Sequence, residues 1–143
     1  MDVKGGKWRD HQIKIPPGVK GLEFSIKLME PHLSKAWASS FKAGLANDEA
    51  TASLNYHIKN DTAANRLELF RGKDSSDVQE NLNQTFAWGD TVKFYLIWSD
   101  ATMKADIADF HETAPLNFQP TMINLFVSGA KIELIDVKLI PDK

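Results

Sequence analysis

The chain has no cysteine among its 143 residues. Disulfide scaffolds, thiolate zinc sites and a cysteine nucleophile are therefore excluded, and the stability of the fold depends on packing alone. No apolar run approaches the roughly 18 positions of a membrane-spanning helix, so we expect no membrane insertion. The 17 basic residues are outnumbered by 19 acidic ones. A net charge of −2 gives no bulk attraction to a phosphate backbone, and nucleic acid is not an expected partner.

The N-terminus lacks the apolar segment of a secretory signal, because its first ten residues are polar and include three basic side chains. We expect a cytoplasmic protein, with any export using a route that needs no signal peptide. Residues 1–10 are predicted to form an N-terminal tail. No repeat, low-complexity tract or linker interrupts the remainder, so residues 11–143 are predicted to form one domain.

Apolar and polar residues alternate in short segments along the chain, which is typical of strands with one buried face. The segments 22–28 and 54–59 show the pattern clearly, and turn-forming clusters separate such segments. In the last segment, 131–140, the apolar residues change face near Ile135 and Asp136, which predicts a β-bulge. Many short strands at regular spacing predict an all-β fold, an antiparallel β-sandwich of two sheets.

The segment from Pro31 to Ala46 leaves two alternatives open. Its apolar residues, among them Leu33, Trp37 and Phe41, also fall at helical spacing. A further strand is favoured over a helix, because a single helix fits poorly between segments that alternate with a period of two.

No motif in the sequence indicates catalysis. The chain has no Gly-x-Ser-x-Gly elbow, phosphate-binding glycine loop or dinucleotide fingerprint, so we expect neither an enzyme nor a cofactor. The four histidines lie in separate segments without the spacing of a metal site, so no metal is expected. The cluster Asp109, His111 and Glu112 leaves a hydrolase as an alternative, although a solvated strand end before Pro115 is the simpler interpretation.

One predicted strand, 53–60, displays three polar groups on the face opposite its apolar residues. Asn55, His57 and Lys59 follow one another there at intervals of about 7 Å. Sugar hydroxyls require directional donors and acceptors, and an amide, an imidazole and an ammonium group provide both. The alternative is a solvent-facing strand without a ligand.

Two blocks of the sequence resemble the galectins, the β-galactoside-binding lectins of animals. Residues 120–137, PTMINLFVSGAKIELIDV, resemble the closing block of these lectins, in which a Pro, an Ile-Asn pair and an apolar-x-Val-x-Gly step precede the last strand. Residues 86–96, FAWGDTVKFYL, are similar to the Phe-x-x-Gly-x-x-Phe block before the middle strands. The resemblance extends over nearly the whole chain. It implies a jelly-roll sandwich with a metal-independent carbohydrate groove across its concave sheet, and it interprets 31–46 as loop and strand.

The resemblance also assigns sugar-binding positions. Galectins place His, Asn and Arg at alternate positions of one strand, and Asn55, His57 and Lys59 stand at those positions here. All three residues differ from the galectin signature, although each can still form hydrogen bonds. Lys59 in addition lacks the planar fork with which an arginine holds two acceptors.

Two registers are open for the following strand and loop, where galectins have an Asn, a Trp and a Glu. Without a gap, the Asn position falls on Arg71 and the Trp position on Val78. With a shift of one residue, these positions fall on Phe70 and Asp77, and Glu80 then matches the Glu. Neither register supplies the Trp that stacks on galactose.

The sequence therefore predicts a carbohydrate-binding lectin with altered or weakened glycan specificity. Its partner is expected to be a galactoside-like or an acidic saccharide, since basic side chains suit a carboxylate or sulfate. The alternative is a galectin-like module without sugar binding that serves protein–protein interaction or a structural role. A homodimer through a sheet edge is a further expectation. The predicted carbohydrate-binding residues are Asn55, His57, Lys59, Arg71 and Glu80.

Overall fold

The structure is a computed structural model that describes residues 1–32, 34, 38–47, 52–60, 66–73 and 79–142. These ranges contain eleven strands and no helix, so none of the described residues forms a helix that could cross a membrane. The predicted all-β fold is confirmed. The strands are β1 Trp8–Lys14, β2 Val19–Pro31, β3 Ser40–Ala46, β4 Ser53–Lys59, β5 Arg66–Lys73, β6 Gln79–Ala87, β7 Thr91–Trp98, β8 Thr102–Ile107, β9 Phe110–Pro115, β10 Met122–Ser128 and β11 Ala130–Pro141.

The strands form the two antiparallel sheets that the sequence predicts. The six-stranded sheet has the order β1-β10-β3-β4-β5-β6, and the five-stranded sheet has the order β11-β2-β7-β8-β9. Alternate residues of each strand point between the sheets, where they form one continuous core. The opposite side of the six-stranded sheet, which points away from the core, is called the outer face below.

Three phenylalanines join the sheets at the centre of the core. Phe24 and Phe94 of the five-stranded sheet stack with ring centroids 4.9 Å apart, and Phe41 of β3 meets both rings edge-on. Such aromatic pairs add about 0.5–1.5 kcal/mol each to the free energy of burial. The inner side of β3 is therefore well anchored, which holds its outer side in a fixed position.

The structure shows which of the two alternatives, helix or strand, applies to most of residues 31–46. Residues 40–46 are a strand, and β2 extends to Pro31. Residues 33 and 35–37 lie outside the described residues. The described portion of this segment is thus loop and strand.

The N-terminal residues differ from the predicted tail at 1–10, because they pack against the sandwich. Val3 is buried in the core, and its N–H donates to the carbonyl of Ala130 at 2.9 Å. The amino group of Met1 donates to the carbonyl of Ile132 at 2.7 Å. Strand β1 then begins at Trp8 and pairs with β10. These backbone hydrogen bonds fix the segment without requiring an apolar sequence pattern.

The bulge predicted near Ile135 and Asp136 is present. The pairing of β11 with β2 shifts between Ile135 and Lys138, and Asp136 has a φ of 52°. The bulge accounts for the change of face along β11.

Candidate functional site

The outer face is organised in rows that cross the six-stranded sheet, because residues paired across an antiparallel ladder point to the same side. Two neighbouring rows cross β4 at His57 and at Asn55. The mixed row consists of Asp10, Phe126, Lys42, His57, Phe70 and Asn81. The amide row consists of Gln12, Asn124, Gly44, Asn55, Gly72 and Gln79.

The structure places Asn55, His57 and Lys59 side by side on the outer face of β4. The residues between them, Tyr56 and Ile58, are fully buried in the core. Asn55 is itself only 8% exposed, while the other two are partly exposed. These three predicted binding residues therefore form one continuous surface on a strand whose reverse side is anchored.

A hydrogen-bond network sets the tautomer of His57. Lys59 extends across Phe70, with Nζ 4.8 Å from the ring centroid, and donates to Gln79 Oε1 at 2.5 Å. The Gln79 amide nitrogen lies 3.3 Å from His57 Nδ1. Because the lysine fixes the amide oxygen, the amide nitrogen donates to Nδ1. The proton of the neutral ring is therefore on Nε2, where it is available as a donor.

Burial is the main cause that lowers the pKa of His57 to about 3, and the charges of Lys42 and Lys59 lower it further. The imidazole is consequently neutral at pH 7. Lys42 lies directly opposite His57 on β3, and its Nζ is 4.9 Å from the centroid of the Phe126 ring. Burial also lowers the pKa of Lys42 from its ordinary value, while Asp10 opposes that shift.

The amide row contains two buried acceptors without a donor. Asn55 Nδ2 donates to Ser53 Oγ at 3.2 Å, but Asn55 Oδ1 has no partner within the described part of the chain. Asn124 Oδ1, on the other side of Gly44, is also buried and has no hydrogen-bond partner among the described residues. A Cβ at Gly44 would overlap Asn55 Oδ1 and the carbonyl of Leu54. Glycine is therefore required for the Asn55 amide to lie where it does.

The structure corrects the prediction that Arg71 and Glu80 line the same surface. Arg71 is paired with Tyr56, so its side chain lies on the inner side of the sheet. Its guanidinium group forms ion pairs with Glu80 and with Glu112 of the five-stranded sheet. Tyr56 donates to the same Glu112 at 2.6 Å. Arg71 and Glu112 therefore connect the two sheets, and neither Arg71 nor Glu80 belongs to the outer face.

Phe70 occupies the outer position of β5 opposite His57. The register shifted by one residue therefore places its Asn position, Phe70, on the outer face, whereas its Glu position, Glu80, does not lie there. The candidate Trp positions, Asp77 and Val78, lie outside the described residues.

Sequence reasoning missed Lys42, Gln79 and Asn124. They lie on three different strands, and only the pairing of β3, β6 and β10 with their neighbours brings them near β4. The available signal was the alternation of polar residues with apolar ones on β3 and β10, once the strand order is known.

The predicted cluster of Asp109, His111 and Glu112 does not assemble. His111 Nδ1 lies 2.8 Å from Asp106 Oδ1, whereas Glu112 points to the inner side towards Tyr56. Asp109 lies in the turn between β8 and β9. Across the described ranges, no three His, Asp or Glu side chains are grouped so that they could hold a metal ion.

No protein-family model and no curated protein matches the sequence. Solved structures do match the fold. A homodimeric agglutinin from chicken liver, CG-16, has a TM-score of 0.62 and 14% identity over 91% of this chain and 100% of its own. A tetrameric galectin from the ball sponge Cinachyrella sp. has a TM-score of 0.66 and 13% identity over 92% of this chain and 99% of its own.

Congerin II, in a structure described as liganded by lactose and MES, has a TM-score of 0.63 and 12% identity. The match covers 92% of this chain and 99% of congerin II. Identities this low establish the architecture alone, and the architecture extends over almost the entire length of both chains. The resemblance suggested by the sequence is thereby confirmed at the level of structure: this chain has the galectin fold.

Proposed function

We propose that this protein is a metal-independent lectin that binds a saccharide on the outer face of its six-stranded sheet. The observation that carries the proposal is the continuous polar surface that Asn55, His57 and Lys59 form on the outer face of β4, whose reverse side is anchored in the core. Saccharide hydroxyls are both donors and acceptors, and they can pair with the amide, imidazole and ammonium groups of this surface.

The site is suited to directional recognition because its parts are held before a ligand arrives. Asn55 is fixed by Ser53 and by the close approach of Gly44, and His57 is fixed by Gln79. Preorganised groups lose little conformational entropy when the ligand binds. The face thus combines acceptors in the amide row with donors in the mixed row.

The specificity is proposed to be altered or weakened relative to a galactoside-binding galectin. Congerin II, the lactose-liganded neighbour, makes lactose the natural first ligand to test. Asn55, His57 and Lys59 provide three hydrogen-bonding groups, yet Lys59 has a single ammonium in place of a planar guanidinium. Recognition without chemical change is the proposed activity, so the protein is not proposed to be an enzyme.

The proposal is tested by calorimetric titration of the protein with lactose and with a panel of neutral and acidic glycans. We expect at least one saccharide to bind, and we expect it to raise the melting temperature, because a ligand of the native state stabilises it. Asn55→Ala should weaken this binding about tenfold or more, the equivalent of one good hydrogen bond.

Gln119→Ala is the matched control. Gln119 is an exposed amide residue that lines a cleft with Trp98 and Asp142, away from the outer face. The Gln119→Ala variant should bind the saccharide with the affinity of the wild type. If no glycan binds at high protein concentration, or if both variants lose affinity equally, the proposal fails.

A second candidate function, protein–protein interaction, is favoured by apolar side chains at the sheet edges. Trp8 on edge strand β1 is 57% exposed, and Val137 and Leu139 on edge strand β11 are exposed as well. Edge strands with exposed apolar groups are suited to pairing with another chain. CG-16 is described as homodimeric and the sponge galectin as tetrameric. We propose a homodimer through these edges.

Sedimentation equilibrium tests this candidate. A dimer is expected for the wild type, and Val137→Asp should shift it towards monomer because a charge would be buried in the contact. Lys104→Asp, an exposed change on β8, should leave the mass unchanged. A wild type that is monomeric at high concentration would rule the dimer out.

A further inference from the structure

The His57 ring has one nitrogen bonded to the protein and one open to solvent. Nδ1 lies 3.3 Å from the side-chain nitrogen of Gln79. Nε2 has no hydrogen-bond partner in the described part of the chain and is not a buried atom, so it is accessible on the outer face. A ligand on this face meets Nε2. Whether that nitrogen carries the proton of the neutral ring decides whether it donates or accepts.

The orientation of the Gln79 amide is set by Lys59. An ammonium group can only donate, and the 2.5 Å hydrogen bond of Lys59 Nζ ends on Gln79 Oε1. The opposite orientation would place the amide nitrogen against the ammonium group, and neither of these groups accepts. Gln79 therefore turns its N–H groups towards His57, whose Nδ1 accepts and whose proton is on Nε2.

The cross-strand neighbours of His57 offer no competing acceptor. Lys42 stands directly opposite on β3, and Phe70 stands opposite on β5. A lysine only donates and a phenyl ring has no oxygen or nitrogen, so neither can hold a proton on Nδ1. Phe70 instead supports Lys59, whose Nζ lies 4.8 Å from the ring centroid. Strands β3, β5 and β6 thus all favour the same tautomer.

We propose, resting on the lectin function proposed above, that Gln79 is a positioning residue that makes His57 a hydrogen-bond donor to the saccharide. Gln79 acts through the tautomer of the ring and needs no contact with the sugar for this role.

The same neighbours indicate which sugar atom binds above His57. A hydroxyl there would turn its own hydrogen towards Lys42 or Phe70, and neither side chain has an acceptor. An oxygen without a proton has no such hydrogen to place. The atom above His57 is therefore a ring oxygen, a glycosidic oxygen or an acetamido carbonyl oxygen.

The tautomer is measured by nitrogen-15 NMR of the imidazole at about pH 8, where the ring is neutral. We expect the wild type to have a protonated Nε2 and an unprotonated Nδ1. Gln79→Glu replaces the amide with a carboxylate, which only accepts, so the proton should move to Nδ1. Gln84→Glu makes the same substitution further along β6 and should keep the wild-type tautomer.

Calorimetric titration of the same proteins with lactose measures the consequence, and the tightest-binding glycan of the panel replaces lactose if lactose does not bind. In Gln79→Glu an unprotonated Nε2 would face an oxygen that also only accepts. Binding should therefore weaken about tenfold or more, whereas Gln84→Glu should keep the wild-type affinity.

Gln79→Met is the uncharged variant. It leaves Nδ1 without a side-chain partner at position 79, so both tautomers should be populated and the loss of affinity should be smaller than in Gln79→Glu. Melting curves establish that each variant is folded, and Gln79→Met takes the place of Gln79→Glu if the latter does not fold.

The role of Gln79 and the lectin function can fail separately. If wild-type His57 carries its proton on Nδ1, or if Gln79→Glu moves the proton without weakening binding, the role of Gln79 is overturned while the lectin function stands. Equal losses of affinity in Gln79→Glu and Gln84→Glu would overturn it too, since the added charge alone would explain both. If no glycan of the panel binds, the lectin function fails and the role of Gln79 in recognition fails with it.

Discussion

His57 is a residue whose environment prevents its usual charge. Burial and the nearby charges of Lys42 and Lys59 lower its pKa to about 3. The unfolded chain protonates this imidazole near pH 6.5, its ordinary pKa, so between those two values only the unfolded state binds the extra proton. The neutral histidine is therefore a source of acid sensitivity.

Because only the unfolded state binds that proton, acid lowers the free energy of unfolding. Above about pH 6.5 both states are neutral at this position, and His57 has no pH-dependent effect. As the pH falls from there towards 3, the free energy of unfolding should decrease by up to about 1.4 kcal/mol per pH unit because of His57. Urea unfolding at pH 7, 5.5 and 4.5 should show a smaller decrease for His57→Gln than for the wild type.

His11→Gln is the control for this prediction, since His11 is exposed on β1. It should lose stability with falling pH in parallel with the wild type. If the free energy of unfolding of His57→Gln also falls with pH in parallel with the wild type, the His57 imidazole is not kept neutral by burial.

Side-chain directions on β4 could be predicted from the sequence because a strand alternates with a period of two. Leu54 and Ile58 are apolar neighbours of Asn55 and His57, which fixes the outward direction of the polar residues. The direction of Arg71 could not be predicted in this way. Its orientation depends on the register of β5 against β4, and a slip of one residue reverses every side chain.

At the scale of the strands, Arg71 connects the two sheets at their open edge. Its side chain is 12% exposed, that of Glu112 is 18% exposed, and Tyr56 donates to the same carboxylate. Burial raises the pKa of Tyr56 to about 12 although Arg71 opposes the shift, so its hydroxyl remains a donor at neutral pH. Strands β4, β5 and β9 thus meet in one hydrogen-bonded group.

Removing Arg71 should leave the Glu112 carboxylate largely buried without its cation. We expect Arg71→Ala to lower the free energy of unfolding by about 3–5 kcal/mol, as for other buried pairs from which one partner is removed. Urea denaturation followed by tryptophan fluorescence measures this loss.

Arg66→Ala is the matched control on the same strand. Arg66 is 63% exposed in its pair with Glu68, so its loss should cost less than about 1 kcal/mol. Equal losses for the two arginine variants would contradict the connecting role of Arg71.

Strand positions and the bulge of β11 could be predicted from alternation and from its interruption. The attachment of residues 1–10 could not. Arg9, Asp10 and His11 are all exposed, so β1 has no apolar face that a pattern could reveal. Backbone pairing with β10 and hydrogen bonds to Ala130 and Ile132 hold this segment, and these do not depend on residue type. The buried Val3 side chain and the Trp8 ring stacked on Phe126 add single contacts that form no periodic pattern.

For the whole molecule, the resemblance in the sequence correctly predicted the two-sheet architecture, whereas the composition of the binding face required coordinates. The closing block that carries the resemblance contains β10 and most of β11, and alternate apolar residues of β10, Ile123, Leu125 and Val127, are core residues. Core positions specify the fold, but the outer face collects side chains from six strands. Lys42 and Asn124 become neighbours of β4 only through that strand order.

The proposed saccharide site extends across β10, β3 and β4 on the outer face. A backbone amide NMR titration with the tightest-binding glycan of the panel locates the site residue by residue. We expect the shifted resonances to cluster around Gly44, Asn55, His57 and Asn124, with those of β7 and β8 unchanged. Shifts confined to the five-stranded sheet, or an unchanged spectrum at saturating glycan, would contradict it.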